Sequence, residues 1–238
     1  ICYNTFVKIK RKKFMSVTIE YIAHSAFYIK TGDYGILIDP FISDNPNADF
    51  DVGKEVVTDI VVTHAHADHL GDSIEISRDK KSVITCIFEL ANYCMEKGAY
   101  TNAVNMGGKI NFDWGSVKFL PAFHSSSNLN GDYAGMPAAV LLEIEGKRIY
   151  HAGDTCLHSE MKVAGEIYKP DIALLPIGSH FTMDIDDAVI AAQWLGAQKI
   201  APMHYDTFPP IKADVNEFRQ KIEKNECVLL KPGEKIEL

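Results

Sequence analysis

No run of apolar residues in this chain approaches the roughly 20 needed to span a bilayer. No internal repeat, low-complexity stretch or Pro/Gly/Ser linker divides its 238 residues, so a single domain is expected. Cysteine is sparse: Cys2, Cys86, Cys94, Cys156 and Cys227 are odd in number, scattered, and without a CxxC pair. That pattern argues against a disulfide framework and fits a reducing compartment, which makes the cytoplasm the expected location. Positive charge is also short, with 24 Lys and Arg against 32 Asp and Glu and a net charge of −8. An acidic body repels phosphate backbones, so a nucleic acid is not an expected partner. What remains is an ordinary globular composition, 47% apolar and 24% charged.

Residues 1–14 depart from the rest. They hold Lys8, Lys10, Arg11, Lys12 and Lys13 and no acid, they begin without Met, and Met15 precedes the first clean strand pattern. The expectation is a leader or a remnant of expression outside the fold, with one domain over 15–238. Without those five charges the net charge falls from −8 to −13.

Strand patterns at 17–22, 26–30 and 35–38 open the body, with Gly32-Asp33 as a hairpin turn. Residues 60–63 read as a strand buried on both faces. A helix over 88–97 closes at Gly98. Strands are expected at 117–119, 138–144, 147–150 and 172–175, with Glu145-Gly146 as a turn. Asp184 opens the clearest helix, which places Ile185, Ala188, Val189, Ala192 and Leu195 on one face and ends at Gly196. A strand end at 200–202, a helix over 214–224 and strands at 227–230 and 235–238 complete the chain. Strands first, then helices alternating with strands, indicate mixed sheets flanked by helices.

The most informative segment is Val61-Val62-Thr63-His64-Ala65-His66-Ala67-Asp68-His69-Leu70-Gly71. Three imidazoles and a carboxylate within six residues, directly after a buried strand, are donors for a borderline cation such as zinc. Three further strand patterns end in the same kind of side chain: 118–123 runs into His124, 148–153 into Asp154, and 199–203 into His204. Strand ends on one rim of a sheet can converge on a point while the strands stay rigid. One buried histidine is more often a satisfied core residue than a ligand. The complete ordered set favours a metal.

The order His64-x-His66-x-Asp68-His69, His124, Asp154, His204 resembles the metallo-β-lactamase superfamily. Pro121-Ala122-Phe123-His124-Ser125-Ser126, His151-Ala152-Gly153-Asp154-Thr155, Leu175-Pro176-Ile177-Gly178 and Pro202-Met203-His204-Tyr205 are closer still to a family of small metal-dependent hydrolases within it. That family is in turn similar to ascorbate-6-phosphate lactonases and to the phospholipase D acting on N-acyl phosphatidylethanolamines. The resemblance implies an α/β sandwich of four layers, αββα, with two mixed sheets and a metal site at their edge. It implies two divalent cations, zinc first, with manganese or another transition metal as the alternative. His64, His66 and His124 would hold one, Asp68, His69 and His204 the other, and Asp154 both. A bridging hydroxide would be the nucleophile, and Asp68 would orient it and take its proton.

The remaining histidines divide. Asp39, at the end of 35–38, matches an acidic family position that supports the ligand loop. His24 and His180 are candidates for substrate contact or proton donation, with a structural imidazole as the competing reading of each. His151 reads equally as support for the ligands or as packing. His158 reads as a surface residue. Loops 43–53 and 125–137, with Tyr133 and Phe208, are expected to shape the pocket. The function expected is hydrolysis of a small ester, lactone or phosphodiester. A di-iron oxidoreductase and a non-catalytic metal- or ligand-binding protein are the alternatives, and a homo-oligomer is compatible with all three.

Overall fold

The computed structural model describes residues 15–238, and the expectation for 1–14 lies outside them. The chain first lays down β1 (Thr18–Ala23), β2 (Ala26–Thr31), β3 (Tyr34–Ile38) and β4 (Asp59–Val61). Two short helices follow, α1 (Ala67–Leu70) and α2 (Ser73–Lys80), then β5 (Val83–Ile87), α3 (Phe88–Glu96) and β6 (Tyr100–Val104). β1 to β3 form an antiparallel meander, and β3 to β6 run parallel. The second half begins with β7 (Lys109–Phe112), β8 (Gly115–Pro121), β9 (Ala138–Ile144) and β10 (Lys147–His151). It continues through α4 (Glu160–Tyr168), β11 (Ile172–Pro176), α5 (Ile185–Leu195), β12 (Lys199–Met203), α6 (Val215–Lys221) and β13 (Glu226–Cys227). β14 (Lys235–Glu237) crosses back to pair with β1. The result is two seven-stranded mixed sheets, ordered β14-β1-β2-β3-β4-β5-β6 and β13-β12-β11-β10-β9-β8-β7.

Alternation along the strands makes the layers. In β2 and β3, Phe27, Ile29, Ile36 and Ile38 point to the other sheet, where Phe119, Val140, Leu142 and Ile149 meet them. Tyr28 and Leu37 point the opposite way, with Ile60, Ile84 and Cys86, under Ile76 of α2 and Leu90, Ala91 and Cys94 of α3. α4, α5 and α6 cover the second sheet through Met161, Ala188, Ala192, Leu195 and Phe218. Each fully buried large side chain contributes about 1.5–3 kcal/mol over its exposed state. The architecture is therefore helix, sheet, sheet, helix, as expected from the sequence.

α5 begins and ends as its sequence indicates. The Asp184 carboxylate accepts from the Asp187 N–H at 2.9 Å, and Gly196 closes it at φ 61°. α6 stops at Lys221, three residues short of expectation, because Ile222 already has extended ψ. Of the strand expected at 227–230, only Cys227 lies within β13, with the Val228 N–H still donating to the Ile200 carbonyl at 2.8 Å. Three strands were not legible: β5, β6 and β7. β6 and β7 are edge strands of mixed polarity, and the parallel pairing of β5 depends on β4 and β6, remote in sequence.

Direction matters most for the site. β8, β10, β11 and β12 all run the same way, as do β1, β3 and β4. Their C-terminal ends carry His124, Asp154, Ile177, His204, His24, Asp39 and His64, so the topology delivers chemistry to one edge of each sheet.

Candidate metal centre

Among the described residues, His64, His66 and His124 bring one donor atom each to within 4.8 Å of one another. His24, Asp68, His69 and His204 do the same, and so do His64, His69 and Asp154. Asp154 connects the groups. Its Oδ1 is 3.1 Å from His69 Nε2, and its Oδ2 is 3.1 Å from His204 Nε2 and 3.5 Å from His124 Nε2. His64 Nε2 faces His66 Nδ1 at 3.0 Å.

These spacings suit shared cations. Two nitrogens on one tetrahedral zinc stand about 3.3 Å apart, given Zn–N lengths of ~2.0–2.1 Å. His69 Nε2 and Asp154 Oδ1 are within contact distance, yet their angles make no hydrogen bond, and both are buried polar atoms without a partner. Buried orphans of this kind are costly unless something else binds them. Donors aimed at common points between them fit a cation.

The hydrogen bonds fix which nitrogen each imidazole presents. Asp39 is fully buried and accepts from the Thr63 N–H at 2.8 Å, the Thr63 hydroxyl at 2.7 Å and His69 Nδ1 at 2.7 Å. In its neutral form His69 therefore keeps its proton on Nδ1 and turns the Nε2 lone pair toward Asp154. Because the Thr63 hydroxyl gives its proton to Asp39, its oxygen accepts from His64 Nδ1 at 3.0 Å, which leaves His64 Nε2 free as well. With its proton on Nε2, donated to Ser125 Oγ at 3.3 Å, His66 keeps the Nδ1 lone pair on the side of His64. Thr63 and Ser125 were not singled out from sequence. Their only signal is adjacency to His64 and His124.

Asp68 is held from the other side. His24 Nε2 is 3.1 Å from Asp68 Oδ2, and His24 Nδ1 is 2.8 Å from the Thr207 hydroxyl. The His24 ring packs on His204 and Phe208, with centroids 4.1 and 5.6 Å away. His151 is satisfied at both nitrogens, Nε2 to the Ser25 carbonyl at 2.9 Å and Nδ1 to the Gly153 N–H at 3.1 Å. It braces the turn into Asp154 from within the core. Gly153 has φ 61°, and a Cβ there would stand 2.7 Å from the Ala138 carbonyl, so only glycine lets this turn approach β9. His24, Asp39 and His204 have φ of 58°, 45° and 54°, conformations that cost side-chain-bearing residues energy. His180 stands apart, exposed, its ring against Phe181 at 4.6 Å.

Electrostatics separates the imidazoles. Burial, aided by the neighbouring His69 charge, pushes His64 well below its ordinary pKa, and burial lowers His66 and His124. Burial opposes charging of His69 and His204 too, but Asp154 outweighs it. With Asp39 it raises His69 well above the usual value, and with Asp68 it pushes His204 up to about 9. Burial alone would raise Asp68 and Asp154. The surrounding imidazoles overcome it and hold both carboxyls low, so both are ionised. Two carboxylates thus draw protons onto two histidines where cations would otherwise sit.

Beside His124 opens a cavity of about 670 Å³ lined by Phe123, Ser125, Ser127, Tyr133, Met136 and Pro137. Loop 125–137 shapes it. Loop 43–53 does not, and instead borders a separate cavity of about 420 Å³ with Asp72 and Glu75.

The model of the beta-lactamase superfamily domain matches residues 18–204. A UPF0173 metal-dependent hydrolase of Geobacillus thermodenitrificans is 46% identical over 224 residues, covering 92% of this chain and 99% of the relative. One from Thermus thermophilus is also 46% identical, covering 93% and 99%. Among solved structures, Igni18, a metallo hydrolase of Ignicoccus hospitalis, superimposes with a TM-score of 0.86 at 38% identity, covering 94% of this chain and 98% of that one.

Proposed function

The chain belongs to the beta-lactamase superfamily, among its UPF0173 metal-dependent hydrolases, and from that premise we propose that it hydrolyses a small ester, lactone or phosphodiester with two divalent cations, zinc first among them. The observation that carries this reading is the position of Asp154, in contact with both groups of donors. His64, His66 and His124 would hold one cation, Asp68, His69 and His204 the other, and Asp154 both. When bound, such a pair supplies Lewis acidity and brings the pKa of a water toward neutrality. Mixed nitrogen and oxygen donors also accept manganese and other transition metals.

The rest is work for the chain's own groups. Asp68 is the one carboxylate of the cluster with appreciable exposure, 27% of its side chain. It can therefore reach a water at the mouth and take its proton. His24, itself held by the Thr207 hydroxyl, keeps its carboxylate in one orientation. Asp39 and Thr63 keep the imidazole lone pairs of His64 and His69 inward. The cavity beside His124 receives the part of the substrate that does not react.

The test is elemental analysis with a turnover assay on aryl esters, lactones and bis-aryl phosphates, after defined loading with zinc, manganese or iron. Two metals per chain and hydrolysis are expected. Iron with redox activity and no hydrolysis would establish the oxidoreductase instead, and full loading without turnover the binding protein.

A further inference from the structure

The candidate centre is built at the ends of strands, so the loops that follow those strands form the surface a substrate meets. Segments 39–53, 62–77, 121–137, 152–161, 177–184 and 204–211 contain no Lys or Arg. They do contain acids beyond the cluster, among them Asp44, Asp72, Glu75, Asp132 and Asp206. Of the described cations, Lys54, Arg78, Lys162 and Lys212 directly follow four of these segments, and Lys212 lines a groove with Ser179 and Asp184; others, such as Lys109 and Lys118 on β7 and β8, lie farther along the strands, and none lines the cavity beside His124.

The cavity beside His124 repeats the pattern locally. Its walls are Phe123, Tyr133, Met136 and Pro137 together with serine hydroxyls, and no charged side chain lines it apart from His124 when protonated. Phe123, Tyr133 and Met136 are each more than half exposed, at 55%, 69% and 53%. Large apolar side chains held out at a cavity mouth gain by being covered. Proteins that recognise phosphate or carboxylate groups supply a guanidinium, an ammonium or a helix N-terminus for them. Among the described residues no Lys or Arg lines this cavity, and the loop acids around it disfavour an anionic group held away from the metals.

We infer that the part of the substrate that does not react is an uncharged, apolar acyl or aryl group that lies against Tyr133 and Met136. The inference rests on the hydrolase reading and narrows it: substrates whose non-reacting group is uncharged and apolar are favoured, whereas those that carry a carboxylate or phosphate on that group are not. A carboxylate or phosphate placed in this cavity would lose water and gain only hydroxyl partners, with no guanidinium or ammonium to offset its charge. An apolar ring would cover Tyr133 and Met136 and displace water from them.

The experiment uses the metal-loaded protein and two substrates that differ in one group, the para-nitrophenyl esters of para-methylbenzoate and para-carboxybenzoate. The neutral ester is expected to have a kcat/KM about a hundredfold higher, the order of discrimination a pocket achieves against a group it leaves unpaired. Added salt narrows the gap, because part of it is long-range repulsion. Met136→Lys, at an exposed position where folding is not at stake, narrows it about tenfold by giving the carboxylate a partner. Equal or faster turnover of the carboxylate ester overturns the inference and leaves the hydrolase reading standing. No turnover of either ester, nor of bis(para-nitrophenyl) phosphate, overturns the hydrolase reading itself.

Discussion

Asp39→Asn tests the support beneath the cluster. The substitution keeps the volume and suits the backbone, since asparagine tolerates the left-handed region that Asp39 occupies at φ 45°. It replaces an acceptor of three hydrogen bonds by a group with one acceptor oxygen and one NH2. If the amide oxygen stays on the Thr63 N–H, the NH2 faces both the Thr63 hydroxyl and His69 Nδ1. The hydroxyl then accepts from the amide and turns its own proton toward His64 Nδ1. His69 must accept at Nδ1 as well. Both imidazoles are driven to carry their proton on Nε2, the atom each presents to the cluster. A proton there excludes a cation. Losing such orienting partners costs 10–100-fold in metal affinity, or about 1.4–2.7 kcal/mol. The metal-free protein should also lose about 2 kcal/mol, the value of a charge-assisted bond to a buried carboxylate. Calorimetric zinc titration and urea unfolding in chelator measure the two effects. Affinity within twofold of wild type, with stability within about 0.5 kcal/mol, would refute the tautomer argument.

Other expectations follow from the same geometry. Zinc binding at pH 7 should release about two protons per chain, because His69 and His204 are charged without metal and must be neutral with it. Since the neighbouring carboxylates push His204 up to about 9 and raise His69 as well, apparent affinity should rise with pH from neutrality at least to that value. Calorimetry in buffers of different ionisation enthalpy reads the proton count, and no release would contradict it. Chelation should lower thermal stability, and metal at a hundredfold excess over Kd should restore about 2.7 kcal/mol per site. His24→Ala should lower kcat more than metal affinity, because it frees Asp68 without removing an assigned ligand; equal loss of both would make His24 a ligand in its own right. Lys81→Gly, at the exposed left-handed residue closing α2, should stabilise by about 0.5–1 kcal/mol without changing activity, as urea unfolding will show.

Individual strands and helices were legible because alternation and helical spacing are local: 35–38 and Asp184 to Gly196 carry their own signals, while the four layers followed from the family resemblance. β6 and β7 were not, since an edge strand of mixed polarity is recognised only by its partner. The same division runs through the site. The sequence by itself determined the donor types and their order, from His64 to His204, because ligand chemistry resides in the side chain and the strand before each one is written in apolar residues. It determined the acidic loops as well. Only the tertiary structure decided that Asp154 stands between two groups of imidazoles, that His24 grips Asp68, that His180 points away, and that Asp39 through Thr63 sets two tautomers at once. Those facts depend on distances between residues tens of positions apart, which are fixed when two sheets pack and not by any stretch of chain alone.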